Sequence, residues 1–166
     1  MKTVLMIALV QAVMGAFDTL YYHEYKLQLP KSTMAGLELR LHAARDFAYA
    51  VIFFSFGWVE WQGAFAAVFA AIILAEVFIT LWDFIEEDRT RKLPMGERAM
   101  HALMGIVYGI MLAFFAPLLW EWWQQPAGFA RVDYGWLSWA MGIMALGVFG
   151  SGLRDLWASL RMRSAA

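Results

Sequence analysis

The chain has 166 residues, 62% hydrophobic and 16% charged, whereas an ordinary soluble domain is about 45–50% apolar and about 25% charged. Its formal net charge is −1 and it contains no Cys. This excludes a basic-patch nucleic-acid binder, a disulfide scaffold, a zinc knuckle, an iron–sulfur protein and a thiol enzyme.

There are 28 aromatic residues and the mean hydropathy is +0.56. The composition therefore predicts one all-α integral membrane domain over 1–166. A helix crosses the hydrocarbon in about 20 residues, and five stretches qualify: Thr3–Tyr22, Leu39–Trp61, Ala64–Glu86, Arg98–Trp122 and Trp136–Leu160. The first follows Met1-Lys2 like a signal peptide, but its apolar run continues to Phe17 without a small-x-small cleavage site, so it reads as a span.

Eleven of the thirteen basic residues fall at one side: Lys26, Lys31, Arg40, Arg45, Arg89, Arg91, Lys92, Arg98, Arg154, Arg161 and Arg163. Only Lys2 and Arg131 fall at the other. The positive-inside rule then predicts an N-terminus outside and a C-terminus in the cytoplasm of a bacterial-type inner membrane. Trp58, Trp61, Trp120, Trp122, Trp123, Trp136 and Trp139 gather at the outer boundary as an aromatic belt.

The chain also repeats itself at a spacing of about 60 residues. Glu38-Leu-Arg-Leu-His42 precedes Tyr49 by seven residues, and Glu97-Arg-Ala-Met-His101 precedes Tyr108 by the same distance. Phe17-Asp18 matches Trp82-Asp83, Leu29-Pro30 matches Leu93-Pro94, and Gly36 falls near the place of Gly96. The predicted units are two like-oriented helical hairpins, about 3–61 and 64–122, that bury their polar stripes against each other in a four-helix bundle. The fifth span, about 136–160, has no counterpart and is expected on the outside.

Eleven of the fourteen acids and all three His lie on the cytoplasmic half. Acids within a span cost on the order of 2.5–3.5 kcal/mol at its centre and persist where they meet a partner, a cavity or a metal. Glu38 and His42 share a helix face, as do Glu97 and His101. Asp18 and Asp83 sit at matching depth on the partner helices. Packing four helices brings these six towards one centre, a donor set suited to divalent metal: carboxylates bridge and neutralise the ions, and neutral imidazoles complete them.

In this ligand order (acid, acid–His, acid, acid–His over about 11–110) the chain resembles the carboxylate-bridged di-iron proteins of the ferritin-like class, with alternative oxidases and demethoxyubiquinone hydroxylases as membrane-associated examples. It departs from them in having Glu-x-x-x-His for Glu-x-x-His, and Asp18 and Asp83 for Glu. The resemblance implies a dinuclear centre, iron first and manganese or zinc as alternatives. It also implies an oxygenase or oxidase acting on a lipophilic small molecule.

Further ligand candidates are His23 and Glu24 after span one, and Glu87 and Asp88 after span three, where His23 takes roughly the place of Asp88 in the repeat. Glu76, two turns before Asp83 and deeper in the membrane, and Asp46 are candidates for acid–base work. Tyr49 and Tyr108 either line a substrate pocket or fill the core with their hydroxyls on neighbouring carbonyls.

The plain alternative for the whole cluster is a collar in which Arg40, Arg45, Arg89, Arg91, Lys92 and Arg98 pair with the acids. Two other functions fit the same residues. One is a cation or proton transporter or channel, suggested by Glu76 and the parallel repeats. The other is a small subunit or assembly factor of a membrane complex. Gly105-x-x-x-Gly109 is a weak signal for a homo-oligomer. No Walker motif, dinucleotide fingerprint, Gly-x-Ser-x-Gly or His-Glu-x-x-His is present, and nucleic acid is not an expected partner.

Overall fold

The computed structural model describes residues 1–29 and 36–163; Pro30 of the repeat and Lys31 of the basic set lie outside them, as does the Arg163 side chain. The described chain is helical apart from two short strands. Its elements are α1 (Lys2–Phe17) with a π-helical extension (Asp18–Lys26), α2 (Gly36–Trp58), β1 (Val59–Gln62), α3 (Ala64–Thr90), α4 (Met95–Trp123), β2 (Gly128–Arg131) and α5 (Trp136–Arg163).

Among the described residues, four helices are long and apolar enough to cross a membrane: α1 with its extension, α3, α4 and α5. The fifth expected span is α2. Its first three turns carry Glu38, Arg40, His42, Arg45 and Asp46, so only its second half is continuously apolar. It also ends at Trp58, and the predicted last turn, Val59–Trp61, is strand instead.

Large apolar side chains face outward along the long helices, among them Leu74, Phe78 and Leu81 on α3, Ile106 and Phe114 on α4, and Ile143 and Leu146 on α5. That is the surface a lipid-facing helix presents, since hydrocarbon and not water is its solvent.

Neighbours in space are α1 with α4 and α2 with α3, more than the members of each sequential pair. The most extensive contact is α5 against α2, and α5 also touches α1. The last helix is thus not merely an outer addition. It covers the charged face of α2 and buries Leu137, Ser138, Met141, Ala145 and Asp155.

Glycine permits that close approach. A Cβ at Gly57 would lie 3.0 Å from Met141 Cβ and 3.1 Å from the Ser138 carbonyl oxygen, and the Ser138 hydroxyl donates to the Gly57 carbonyl at 2.6 Å.

The Trp-rich end is tied by an antiparallel ribbon that pairs Val59 with Arg131 and Gln62 with Gly128. Gly63 turns the chain out of β1 with φ +58°, and its missing Cβ makes room for Ala127. The apolar core fills this half of the bundle. Phe53, Phe56, Phe69 and Phe115 are almost fully buried, with ring centroids 4.8–5.8 Å apart where they meet.

The other half of the bundle is polar inside. Thr90 ends α3 by hydrogen-bonding back to the Glu86 carbonyl, and Arg91 adopts an extended backbone. Pro94 then precedes the first turn of α4, where its missing N–H costs nothing.

Candidate metal centre

The polar interior is built by residues from every helix. Glu38, His42, Glu87, Glu97, Asp18, Asp83 and His23 are at most 3% exposed, and His101 is 6% exposed. His101 Nε2 lies 3.2 Å from Asp18 Oδ2, and His42 Nε2 lies 3.1 Å from Asp83 Oδ2. Each histidine of the doubled Glu-x-x-x-His thus meets the aspartate of the other predicted unit. His42 and His101 face the same interior, as the spacing predicts.

Two residues expected only as additional candidates lie at the middle. Glu87 reaches His101 at 3.4 Å with one oxygen and His42 at 3.7 Å with the other. His23 Nε2 is 3.4 Å from both Asp18 and Glu97, and its ring stacks on His42 at 4.6 Å. The π-helical extension places it there. In an ordinary helix the inward position four residues after Asp18 would be Tyr22; the wider turn moves His23, five residues on, into that position.

Two groups of donors result, His23, Glu87, Glu97 and His101, and Glu38, His42 and Glu87, with the donor atoms of each group within 4.8 Å of one another. Bonds of about 2.0–2.2 Å put two ligands of one ion at most about 4.4 Å apart, so each group needs to contract by only a few tenths of an ångström. These buried His/Glu groups are disposed to hold a metal ion, and Glu87 belongs to both.

Asp18 and Asp83 serve as histidine partners beside the groups. The contacts are close but poorly aligned: Asp18 Oδ1, His23 Nε2, Glu38 Oε2, His42 Nε2, Asp83 Oδ1 and Glu87 Oε2 have no hydrogen-bond partner. Each such buried atom costs about 1–3 kcal/mol. Atoms that converge on a common point and not on each other leave this pattern.

Arginine pairing accounts for part of the cluster, as the collar reading expects. Arg45 donates to Asp83 at 2.9 Å. Arg91 donates to Glu38 at 3.0 Å, Glu87 at 3.2 Å and Glu97 at 2.8 Å. Burial opposes the charge on Arg91, but Glu97 and Glu38 outweigh it and its pKa is raised. Five carboxylates (Asp18, Glu38, Asp83, Glu87, Glu97) thus face two guanidinium groups, which leaves three negative charges when the imidazoles are neutral.

Several predicted residues lie elsewhere. Asp88 is a surface residue paired with Arg98 at 3.1 Å, and Glu24 forms a part-exposed pair with Arg154. Asp46 sits on the α5 side of α2, bonded to Ser151 and beside Arg45. Glu76 is fully buried but in a separate, deeper layer, where Oε1 accepts a hydrogen bond from Thr80 at 2.7 Å. Tyr49 and Tyr108 share that layer, with rings 5.7 Å apart, and the Tyr108 hydroxyl bonds no carbonyl.

An outward-facing apolar groove of about 240 Å³ between α3 and α4 is lined by Ala66, Ala70, Ala116 and Trp120. It opens at the Trp-rich end, far from the histidines.

Asp155 is a site residue not singled out in the sequence. Its Oδ2 lies 3.9 Å from His42 Nδ1, on the side of the ring away from Asp83, and its Oδ1 accepts a hydrogen bond from Arg154 at 2.8 Å. Its signal was present as the one acid in the last span. Comparison with family models, curated proteins and solved structures finds no match for this chain.

Proposed function

We propose that this protein is a membrane-embedded dinuclear metal oxidoreductase acting on a lipid-soluble substrate at the cytoplasmic side. Its N-terminus lies outside and its C-terminus in the cytoplasm of a bacterial-type inner membrane. The observation that carries the reading is Glu87, whose two oxygens face His42 and His101 and which joins both donor groups. A shared carboxylate between two mixed His/carboxylate sets is the arrangement that bridges a metal pair.

The charge on the cluster supports the same reading. With the imidazoles neutral, as metal ligation requires, the three surplus negative charges call for cations, and two divalent ions nearly balance them. His23, Glu97 and His101 would hold one ion and Glu38 and His42 the other; Asp18, Asp83 and Asp155 would fix the imidazoles. Iron is the metal that matches an oxidative reaction, with manganese or zinc as alternatives. Such a centre supplies electron transfer and dioxygen activation when bound.

The hairpin duplication belongs to this reading too. The crossed pairs His101–Asp18 and His42–Asp83, and the neighbour pairs α1 with α4 and α2 with α3, are those a two-fold axis along the membrane normal would relate.

The test is elemental analysis of detergent-purified protein. About two divalent ions per chain are expected, falling to about one in His101→Ala with Glu38 and His42 intact. Metal-free protein that takes up no iron, manganese or zinc, with His42→Ala and His101→Ala indistinguishable from the wild type, would overturn the reading in favour of an ion-paired collar.

A further inference from the structure

One layer outward from the histidines is a second polar cluster. It takes one oxygen-bearing side chain from each of four helices: Gln11 on α1, Tyr49 on α2, Glu76 on α3 and Tyr108 on α4. Tyr49 faces both Gln11 and Glu76, and Tyr108 faces Glu76. Glu76 is 0% exposed, Gln11 7% and Tyr108 8%.

Glu76 Oε1 accepts a hydrogen bond from the Thr80 hydroxyl at 2.7 Å. Glu76 Oε2, Gln11 Oε1 and the Tyr108 hydroxyl have no hydrogen-bond partner. These three oxygens, from three helices, lie within reach of one another and of the Tyr49 hydroxyl but make no aligned hydrogen bond among the described residues. On the outward side the layer is closed by the buried rings of Phe53, Phe56, Phe69 and Phe115.

The donor chemistry differs from that of the histidine cluster. Oxygen is offered by every group and no imidazole is present, which suits hard cations and not the softer transition metals. The layer carries one carboxylate. The nearest guanidinium, Arg45, is already spent on Asp83. A divalent ion would leave uncompensated positive charge in an apolar interior, whereas a monovalent ion matches the single negative charge.

We propose that Gln11, Tyr49, Glu76, Thr80 and Tyr108 form a binding site for a hard monovalent cation, Na⁺ or K⁺, distinct from the histidine centre. It fills the orphaned oxygens, ties four helices together, and is occluded from the Trp-rich side by the phenylalanine plug.

The experiment is thermal unfolding of chelator-treated, detergent-solubilised full-length protein, titrated with Na⁺ or K⁺ at an ionic strength held constant with choline. Chelation keeps the result independent of whether the histidine centre binds metal. Above the dissociation constant, each tenfold rise in the preferred cation is expected to raise Tm by about 3–6 °C. The rise should vanish in Glu76→Gln, shrink in Gln11→Leu and Tyr108→Phe, and persist in His101→Ala.

Wild-type protein whose Tm is the same in Na⁺, K⁺ and choline overturns the proposal. So does an infrared band of a protonated carboxylic acid that is missing in Glu76→Gln and unchanged by saturating Na⁺ or K⁺, because a proton would then be the only cation held. If Glu76→Gln does not fold, an undiminished response in both Gln11→Leu and Tyr108→Phe also rejects it.

Discussion

Replacing Arg91 with Gln separates a metal centre from a self-sufficient ion-paired collar. The guanidinium reaches Glu38, Glu87 and Glu97 at 2.8–3.2 Å and its side chain is 15% exposed. Removing one partner from a buried charged network costs about 3–5 kcal/mol, because the remaining charges stay buried and unpaired. For a chain of this length each kcal/mol shifts Tm by about 2–4 °C, so metal-free Arg91→Gln should melt roughly 6–20 °C lower than metal-free wild type.

The surplus on the five carboxylates then rises from three negative charges to four, the charge of two divalent cations. Adding Fe²⁺, Mn²⁺ or Zn²⁺ should therefore restore most of the lost Tm and bind more tightly than in the wild type. The assay is a thermal melt of both proteins with and without metal, together with a metal-binding titration. A Tm deficit that no divalent ion reduces would refute the reasoning, since it would make Arg91 itself the cation the cluster was built around.

Other perturbations reach separate parts of the molecule. Asp155→Asn removes the buried partner of Arg154 and a neighbour of the His42 ring, so it should lower the Tm of metal-free protein and, about 10–100-fold, the metal affinity; melts and titrations of both forms check it. Phe115→Ala opens the aromatic plug and should cost about 3–5 kcal/mol, or roughly 6–20 °C in Tm, with metal stoichiometry intact. Gly57→Val drives a branched side chain into Met141 and the Ser138 backbone and should cost about 1–3 kcal/mol, read as a lower Tm. Tyr134, in the loop before α5, has its phenol pushed up to about 12 by burial and by Glu60. Its stabilising effect is complete below the ordinary tyrosine range near pH 10 and is lost as pH rises towards 12. Phenolate absorbance should show a step near pH 12, and Tyr134→Phe should remove both that step and the alkaline loss of stability.

The helices were legible because apolar runs of bilayer length have few other uses. Ala64 and Trp136 start α3 and α5 where the sequence places them, and α4 runs from Met95 to Trp123 around a predicted 98–122. The helix ends on the acidic side were extended by groups that hydropathy penalises, such as Glu87 and Glu97, which the fold buries by pairing them. α2 was misjudged at its outer end for a related reason. Trp58 and Trp61 read as one interfacial aromatic end to the apolar run, but Val59–Gln62 alternate apolar and polar and their backbone groups pair with Gly128–Arg131, a long-range partner that hydropathy does not reveal. The place of α5 was hidden likewise, because nothing local in Gly57 says which helix will lie against it.

Within the site, period and rarity gave Glu38, His42, Glu97 and His101, because Glu-x-x-x-His keeps an acid and an imidazole on one face of any helix. The ranking of His23 and Glu87 depended on something finer. Aligned at constant spacing, Asp18 matches Asp83 and His23 matches Asp88, which would turn His23 towards the surface of its own hairpin as Asp88 is turned towards Arg98. One extra residue per turn in Asp18–Lys26 shifts that register, so that His23 comes to share the interior with Glu87. A π-helical turn is energetically inferior to an α-turn and survives where surrounding contacts outweigh the difference. Here those contacts are Asp18, Glu97 and the face of His42. The third imidazole is thus placed by the same interactions that define the centre, and a reading of α-helical periodicity alone looks one position away from it.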